Sequence, residues 1–170
     1  MFNKFLDRLS IDKLGRNGHS ASQSTPERCA PNTKLAYNPT LVAKLEAENR
    51  QLLSAYWKTL AAAQNHQLEL TKQLMVVFKD LLVDHLLREN TSLYVYLRHS
   101  AKRPSSRNAI KSVKSEMDQI SRNVMHFLDK AIHEDINFDG DFIKRFEDIG
   151  AALTERIEKE EAFVYPNYRP

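Results

Sequence analysis

Apolar residues recur at every third or fourth position over most of the chain, a spacing that predicts amphipathic helices. From residue 38 onward the pattern divides into helix A, from Asn38-Pro39 to about Asn65, helix B over about 67–99, helix C over about 106–134, and helix D to about Tyr165. Short polar breaks separate these segments, and no alternating pattern typical of a strand competes with them. We therefore predict an all-α fold, an up-down-up-down four-helix bundle.

Local signals mark where these helices begin and end. Asn38 is a suitable N-cap, and Pro39 suits the first helical turn. We expect Pro104-Ser105-Ser106 to break the chain between helices B and C. Phe138-Asp139-Gly140-Asp141 predicts the turn before helix D, and Pro166 its end.

The first 38 residues differ in character from the bundle at 39–170. Residues 2–14 predict a short amphipathic helix. Its apolar residues lie at helical spacing: Phe2, Phe5, Leu6 and Leu9. Residues 15–38 are rich in Gly, Ser, Asn, Pro and Thr, which is typical of a flexible linker. The short helix either packs on the bundle or serves as a detachable segment for a partner or a membrane surface.

The composition fits one soluble domain with a tail: 170 residues, 42% hydrophobic and 28% charged. No apolar run approaches the roughly 18 residues that span a bilayer, and the single Cys29 cannot form an internal disulfide, so we expect a cytoplasmic protein. The net charge of +3 arises within residues 1–38, because the remaining 19 basic and 19 acidic residues cancel. A bundle without excess positive charge predicts no nucleic-acid partner.

Polar residues interrupt the apolar stripes of helices A, B and D, whereas helix C is apolar along its inner face. They are Asn49 in helix A, His85 and Glu89 in helix B, and Arg156, Glu160 and Glu161 in helix D. Asn49 precedes the A–B turn by 17 residues and His85 follows it by 19, so at about 1.5 Å per residue they reach nearly the same height. Since each group would cost several kcal/mol if buried alone, we expect them to meet, around a metal or as an ion-pair network.

The residues that are candidates for metal binding lie at this level of the bundle. His85 and Glu89 lie one turn apart on one helical face, and both side chains can ligate a metal. No Ser/His/Asp order, Gly-rich phosphate loop or Cys/His cluster appears in the sequence. We therefore expect a protein that is not an enzyme.

Two segments around these residues resemble the hemerythrin-like (HHE cation-binding) family, over roughly residues 37–168. They are Asp84-His85-Leu86-Leu87-Arg88-Glu89-Asn90 with Leu93-Tyr94, and Arg156-Ile157-Glu158-Lys159-Glu160-Glu161 with Phe163-Val164-Tyr165-Pro166. The resemblance implies a di-iron centre, with five histidines and two carboxylates, that binds or senses oxygen. It implies that three ligands are kept: His85, Glu89 and Glu161. Other residues then stand at or near the family's remaining histidine positions: Asn49, Val113, Met117 and Arg156.

Arg156 changes what we expect of this site, because a permanent cation repels a metal. We expect its guanidinium to take the place of the metals and to bridge Glu89 and a carboxylate of helix D, Glu160 or Glu161. The polar groups of helices A and B would complete the hydrogen bonds. We therefore expect no cofactor, with iron as the alternative.

Four further segments resemble the anti-sigma regulators of the Rsd/AlgQ type. They are Arg50-Gln51-Leu52-Leu53-Ser54-Ala55-Tyr56-Trp57, Leu82-Val83-Asp84-His85-Leu86, Val124-Met125-His126-Phe127-Leu128-Asp129 and Asp148-Ile149-Gly150-Ala151-Ala152-Leu153-Thr154-Glu155-Arg156. In that pattern the helix D position of Arg156 is also arginine. This resemblance implies a bacterial protein that binds the primary sigma factor of RNA polymerase.

These observations favour a regulatory bundle that binds another protein, a sigma factor or a signalling component. The alternative is a hemerythrin-like protein that binds or senses a metal or oxygen. A third hypothesis assigns contact with a membrane or nucleic acid to residues 1–38, with residues 2–14 as the membrane-contacting segment.

Overall fold

The computed structural model describes residues 29–30, 32–101, 104–134 and 137–170, and within them the chain forms a helical bundle without a strand. Its helices are α1 (Leu41–Gln64), α2 (Leu68–Arg88), α3 (Tyr94–Ser100), α4 (Pro104–His133) and α5 (Gly140–Lys159). The predicted helix at 2–14 and residues 15–28 of the predicted linker lie outside the described residues.

Two wider turns continue the helices beyond their α-helical portions. A π turn, Glu89–Leu93, joins α2 to α3 so that the two form one rod. A second π turn, Glu160–Val164, extends α5 and leads into a 3₁₀ turn, Tyr165–Asn167. With these extensions the described part of the chain has four rods, and α1 and α4 each pack on both α2 and α5. The predicted all-α four-helix bundle is confirmed.

Helix ends differ from the prediction by a few residues. The α1 helix begins at Leu41 because the Asn38 side chain accepts a hydrogen bond from the Thr40 amide at 3.0 Å, which holds a turn ahead of the helix. Pro104 begins α4 instead of breaking the chain before it, as suits a residue with fixed φ and no N–H. At the start of α5, the Asp139 carboxylate caps the helix by accepting from the Phe142 amide at 2.9 Å.

A layer of buried polar side chains, called here the polar layer, divides the core into two parts. It consists of Asn49, His85, Glu89, Arg156 and Glu160. The first apolar cluster lies toward the α1–α2 turn and includes Leu52, Phe78, Leu82, Phe146 and Leu153. The second apolar cluster lies toward the opposite end and includes Ala30, Leu45, Leu93, Leu97 and Val164. Each rod that carries a polar-layer residue therefore contributes to both clusters.

Aromatic side chains close the end of the bundle beyond the second apolar cluster. The rings of Tyr37, Tyr96 and Tyr168 lie with centroids 4.7 to 5.8 Å apart. The Tyr168 hydroxyl accepts from the Asn38 amide at 3.0 Å, and the Tyr96 hydroxyl donates to the Arg169 carbonyl at 2.9 Å. The segment before α1 and the end of the chain are thus tied to α3.

Gly150 permits a close approach of α1 and α5 within the first apolar cluster. A Cβ at this position would lie about 2.0 Å from the Tyr56 ring, so a larger residue would displace the tyrosine. The Tyr56 hydroxyl donates to the Phe146 carbonyl at 3.1 Å, and burial with nearby acidic groups raises the pKa of Tyr56 to about 12. None of the helices in the described part of the chain combines the length and apolar character that crossing a bilayer requires.

Candidate functional site

The polar layer is buried to an extent that is unusual for charged side chains. All five of its residues expose 1% or less of their surface, and Arg156 is the largest fully buried side chain among the described residues. Lys, Glu, Arg and Asp are almost never fully buried unless they are paired. The contacts within the layer must therefore compensate for the lost hydration.

Arg156 is the centre of these contacts. Its Nη2 donates a hydrogen bond to Glu89 Oε2, and the same nitrogen lies 3.0 Å from Glu160 Oε1. The guanidinium of α5 therefore joins the first residue of one π turn to the first residue of the other. One cation thus stands between the two buried carboxyl groups.

His85 connects Glu89 to the outside of the bundle. Its Nε2 lies 3.1 Å from Glu89 Oε1, within ion-pair distance but without forming a hydrogen bond. Its Nδ1 lies 3.3 Å from Glu48 Oε2 of α1. Glu48 in turn accepts from Arg88 Nε at 2.7 Å, and both of these side chains are partly exposed. The imidazole is therefore held between one buried and one solvent-accessible carboxylate.

Two tyrosines close the layer on the side of the second apolar cluster. The Tyr94 hydroxyl donates to Glu160 Oε1 at 3.3 Å. The Tyr165 hydroxyl accepts from Asn49 Nδ2 at 3.1 Å. Burial raises the pKa of both hydroxyls, and the nearby Glu89 and Glu160 add to the effect. Both tyrosines therefore keep their protons and serve as neutral hydrogen-bonding groups.

The pKa values of the two carboxyl groups shift in opposite directions although they share one cation. Burial by itself would raise the pKa of Glu89, but Arg156 and His85 outweigh this effect, and the pKa is lowered. Burial, reinforced by the charge of Glu89, raises the pKa of Glu160 well above its ordinary value despite Arg156. Within this pair the ionised form is therefore favoured on Glu89 and the protonated form on Glu160.

Several buried atoms of the layer keep hydrogen-bonding capacity free. They are Asn49 Oδ1, His85 Nε2, Glu89 Oε1, Arg156 Nε, Arg156 Nη1 and Glu160 Oε2. Acceptors and donors both occur in this set, so it suits a small polar species better than an apolar one. The layer is consequently less saturated than an ordinary structural ion pair.

The structure brings together five of the six residues expected to form a network. Glu161 is half-buried and takes no part in these contacts; the carboxyl group that α5 contributes is that of Glu160. Asn49 bonds to Tyr165 and not to the guanidinium, which differs from the expected arrangement. Met117 is buried and Val113 half-buried, so α4 contributes apolar side chains at this level.

Three further residues in contact with the layer were not predicted from the sequence: Glu48, Tyr94 and Tyr165. A signal existed for the tyrosines, since each follows a polar-layer glutamate by five residues, Tyr94 after Glu89 and Tyr165 after Glu160. Glu48 gives no such signal, because it lies on the partly exposed side of α1 and does not interrupt an apolar stripe.

A group of three metal-competent side chains lies within the layer. Ligand atoms of His85, Glu89 and Glu160 all lie within 4.8 Å of one another. The family model for the hemerythrin HHE cation binding domain matches residues 40–168, which is most of the chain. The chain belongs to the hemerythrin HHE family. Comparison with curated proteins and with solved structures returns no match.

The side chains of this hemerythrin domain do not fit the di-iron centre that the family resemblance implies. Such a centre takes five histidines and two carboxylates, but His85 is the one described histidine in the layer. The other described histidines are exposed: His66, His99, His126 and His133. In addition, both carboxyl groups that would ligate a metal already contact Arg156. Among the described residues this leaves a group of three donors for one ion, and two of them, Glu89 and Glu160, are shared with a permanent cation.

Proposed function

We propose that this hemerythrin-family protein acts by binding another protein, and that its bundle is completed by Arg156 where a metal would otherwise stand. The observation that carries the proposal is the guanidinium itself, buried between Glu89 and Glu160. A tethered cation supplies the positive charge that these carboxyl groups need in the core. The fold then needs no bound ion, and its function lies on its surface.

The sequence supports a regulatory partner for this surface. Four segments resemble the Rsd/AlgQ anti-sigma regulators, and the resemblance includes the arginine at position 156. We therefore propose a sigma factor as the partner class. On this proposal the protein is not an enzyme, and the polar layer holds the rods in register without taking part in a reaction.

Binding of a single cation is the second candidate function. It is favoured by the three donors of His85, Glu89 and Glu160 within 4.8 Å and by the cation-binding family to which the chain belongs. For an ion to bind there, Arg156 would have to leave both carboxyl groups, and Glu160 would have to release its proton. The two candidates therefore differ in the position of the guanidinium.

Metal analysis separates these candidates. Protein purified without chelators should contain far less than one equivalent of iron or of any other transition metal by elemental mass spectrometry. Near-stoichiometric iron that is lost in His85→Ala would contradict the proposal and support the second candidate. His126→Ala is the matched control, because His126 is an exposed histidine of α4 away from the polar layer.

A binding measurement tests the proposed partner. Titration calorimetry with a purified bacterial primary sigma factor should give saturable binding that is unchanged after the hemerythrin-family protein has been treated with a chelator. The absence of binding by protein with intact helical circular dichroism would refute the sigma-factor assignment. Binding that requires added iron would refute the metal-independent part of the proposal.

A further inference from the structure

The outer face of α2 is apolar, in contrast to the outer faces of the other long helices. Eight large apolar side chains are markedly exposed among the described residues, and six of them lie on α2. We define the α2 outer face by Val76, Val77, Val83 and Leu87, which are 42%, 52%, 42% and 59% exposed. Val76, Val83 and Leu87 are spaced by seven and four residues and so lie on one side of the helix.

The corresponding surface of α5 is polar. Its exposed positions include Lys144, Arg145, Glu147, Asp148 and Glu158, as expected for a helix with one buried face. The α2 helix instead carries apolar residues both toward the core, at Phe78 and Leu82, and on its outer face. A helix that is apolar on both sides is typical of one covered on both sides.

The chain itself contains a segment suited to this cover. In residues 2–14, apolar side chains recur at helical spacing: Phe2, Phe5, Leu6 and Leu9. Two basic residues, Lys4 and Arg8, and one acidic residue, Asp7, stand between them, so positions 2–9 carry a net charge of +1. The exposed charged residues within the α2 outer face are Asp80 and Asp84, both acidic. The two surfaces are therefore complementary in apolar character and in charge.

The chain between residues 2–14 and the bundle is long enough for this segment to reach the α2 outer face. Ala30 is buried in the second apolar cluster together with Leu93 and Leu97 of the α2–α3 rod. Along this rod, the α2 outer face begins about 9 Å from Leu93, at Leu87, and its far end at Val76 is about 32 Å from Leu97. Residues 15–28 can span up to about 45 Å when extended. Every part of the face is thus within reach.

We propose that residues 2–14 bind the α2 outer face of the same chain as an additional helix. The segment buries Phe5 and Leu9 against Val83 and Leu87 and places its basic residues near Asp80 and Asp84. This inference is independent of the proposed partner and of the content of the polar layer. It predicts that the full chain shields an apolar surface that residues 29–170 leave open.

Paramagnetic relaxation enhancement in the full chain tests this contact. A nitroxide is attached at Ser10→Cys in a Cys29→Ser background, and methyl signals are compared with those of the reduced label. The methyl groups of Val76, Val83 and Leu87 should lose at least half of their intensity. Those of Ala109 on α4 and Ala151 on α5, which are exposed on other rods, should keep theirs.

A mixed sample identifies the source of the effect. Isotope-labelled protein without nitroxide, mixed with unlabelled protein that carries it, should show no loss, because the contact is within one chain. Loss of the α2 methyl signals in the mixed sample would assign the face to a second copy and overturn the proposal. Unchanged intensity on α2 in both samples would also overturn it and leave the face to another partner.

Matched substitutions in the segment complete the test. The double variant Phe5→Asp/Leu9→Asp should restore the α2 methyl intensities, whereas Ile11→Asp, on the opposite side of the predicted helix, should not. Equal effects of the two variants would contradict docking through the Phe5–Leu9 side. Because these substitutions lie outside the bundle, its thermal unfolding serves as the check that the fold is retained.

Discussion

The rod formed by α2 and the rod formed by α5 have the same plan up to the polar layer. In each, a buried residue is followed four positions later by a buried glutamate that opens a π turn: His85 and Glu89 in one, Arg156 and Glu160 in the other. The residue before each glutamate is basic and pairs with a glutamate of a neighbouring rod, Arg88 with Glu48 and Lys159 with Glu116.

Within the polar layer, the two rods differ in the residue one turn before the glutamate. In α2 the layer residue is an imidazole, which binds metals and is held by carboxylates on both sides. In α5 the same place is taken by a guanidinium, which only donates hydrogen bonds and here contacts two carboxyl groups. A single arginine in this shared arrangement therefore places a positive charge beside two carboxyl groups that could otherwise ligate a metal.

Removal of the arginine should have the largest effect on this comparison. Arg156→Met leaves Glu89 buried without its cation, and we expect a loss of roughly 3–5 kcal/mol in the free energy of unfolding. Urea denaturation measures this value. Lys159→Met, three residues along and partly exposed, is the control and should leave the free energy of unfolding nearly unchanged. A loss below about 1 kcal/mol for Arg156→Met would show that the guanidinium is not the internal counter-ion.

The two glutamates should respond differently to the same substitution. Glu89→Gln removes the ionised partner of Arg156, and we expect a loss of about 3 kcal/mol. Glu160→Gln replaces a group that is already neutral, so its cost should stay below about 1 kcal/mol. The measurement is chemical denaturation of both variants near neutral pH. Equal losses would contradict the assignment of the charge to Glu89.

The pH dependence of stability should report the proton on Glu160. The pKa of this carboxyl is raised in the folded state, so above the ordinary value of 4.5 the folded chain holds a proton that the unfolded chain has released. Unfolding then releases a proton, and stability falls as pH rises through the folded pKa, by up to about 1.4 kcal/mol per pH unit.

The Glu160→Gln variant isolates this effect, because its amide has no proton to lose in this range. The unfolding free energies of the wild type and of Glu160→Gln are compared from about pH 5 to about pH 8. As the pH rises, the wild type should lose stability relative to Glu160→Gln. A constant difference across this range would mean that the folded and unfolded pKa values of Glu160 are alike.

The smallest expected difference concerns the two tyrosines. Tyr165→Phe removes the acceptor of the buried Asn49 amide, whose oxygen already lacks a partner, and should cost about 1 kcal/mol. Tyr94→Phe removes only the longer, 3.3 Å bond to a protonated carboxyl and should cost less. Thermal unfolding of the two variants, measured side by side, ranks the two losses of stability. A larger loss for Tyr94→Phe would show that the Tyr94 hydroxyl makes the stronger bond.

The rods and the polar layer could be predicted from the sequence because both follow from apolar periodicity and its interruption. The same period places Glu160 one turn after Arg156, whereas the family resemblance alone indicated Glu161; the structure follows the period. The π turns could not be predicted, since no proline or glycine marks Glu89–Leu93 or Glu160–Val164. Glu48 could not be predicted either, because a charged residue at the edge of a bundle does not interrupt the apolar pattern of its helix.

Arg156 follows α1, α2 and α4 along the chain, and this order has a consequence for biosynthesis. A ribosome completes α1, α2 and α4 before it adds the residue that balances Glu89. Until α5 emerges and docks, the Glu89 carboxylate has no counter-ion in the future core. Because burying an unpaired charge is costly, this carboxylate stays hydrated and opposes the collapse of the growing polypeptide. We therefore expect the synthesis of α5 to commit the whole bundle at once, so that chains released before α5 is made remain open to proteases.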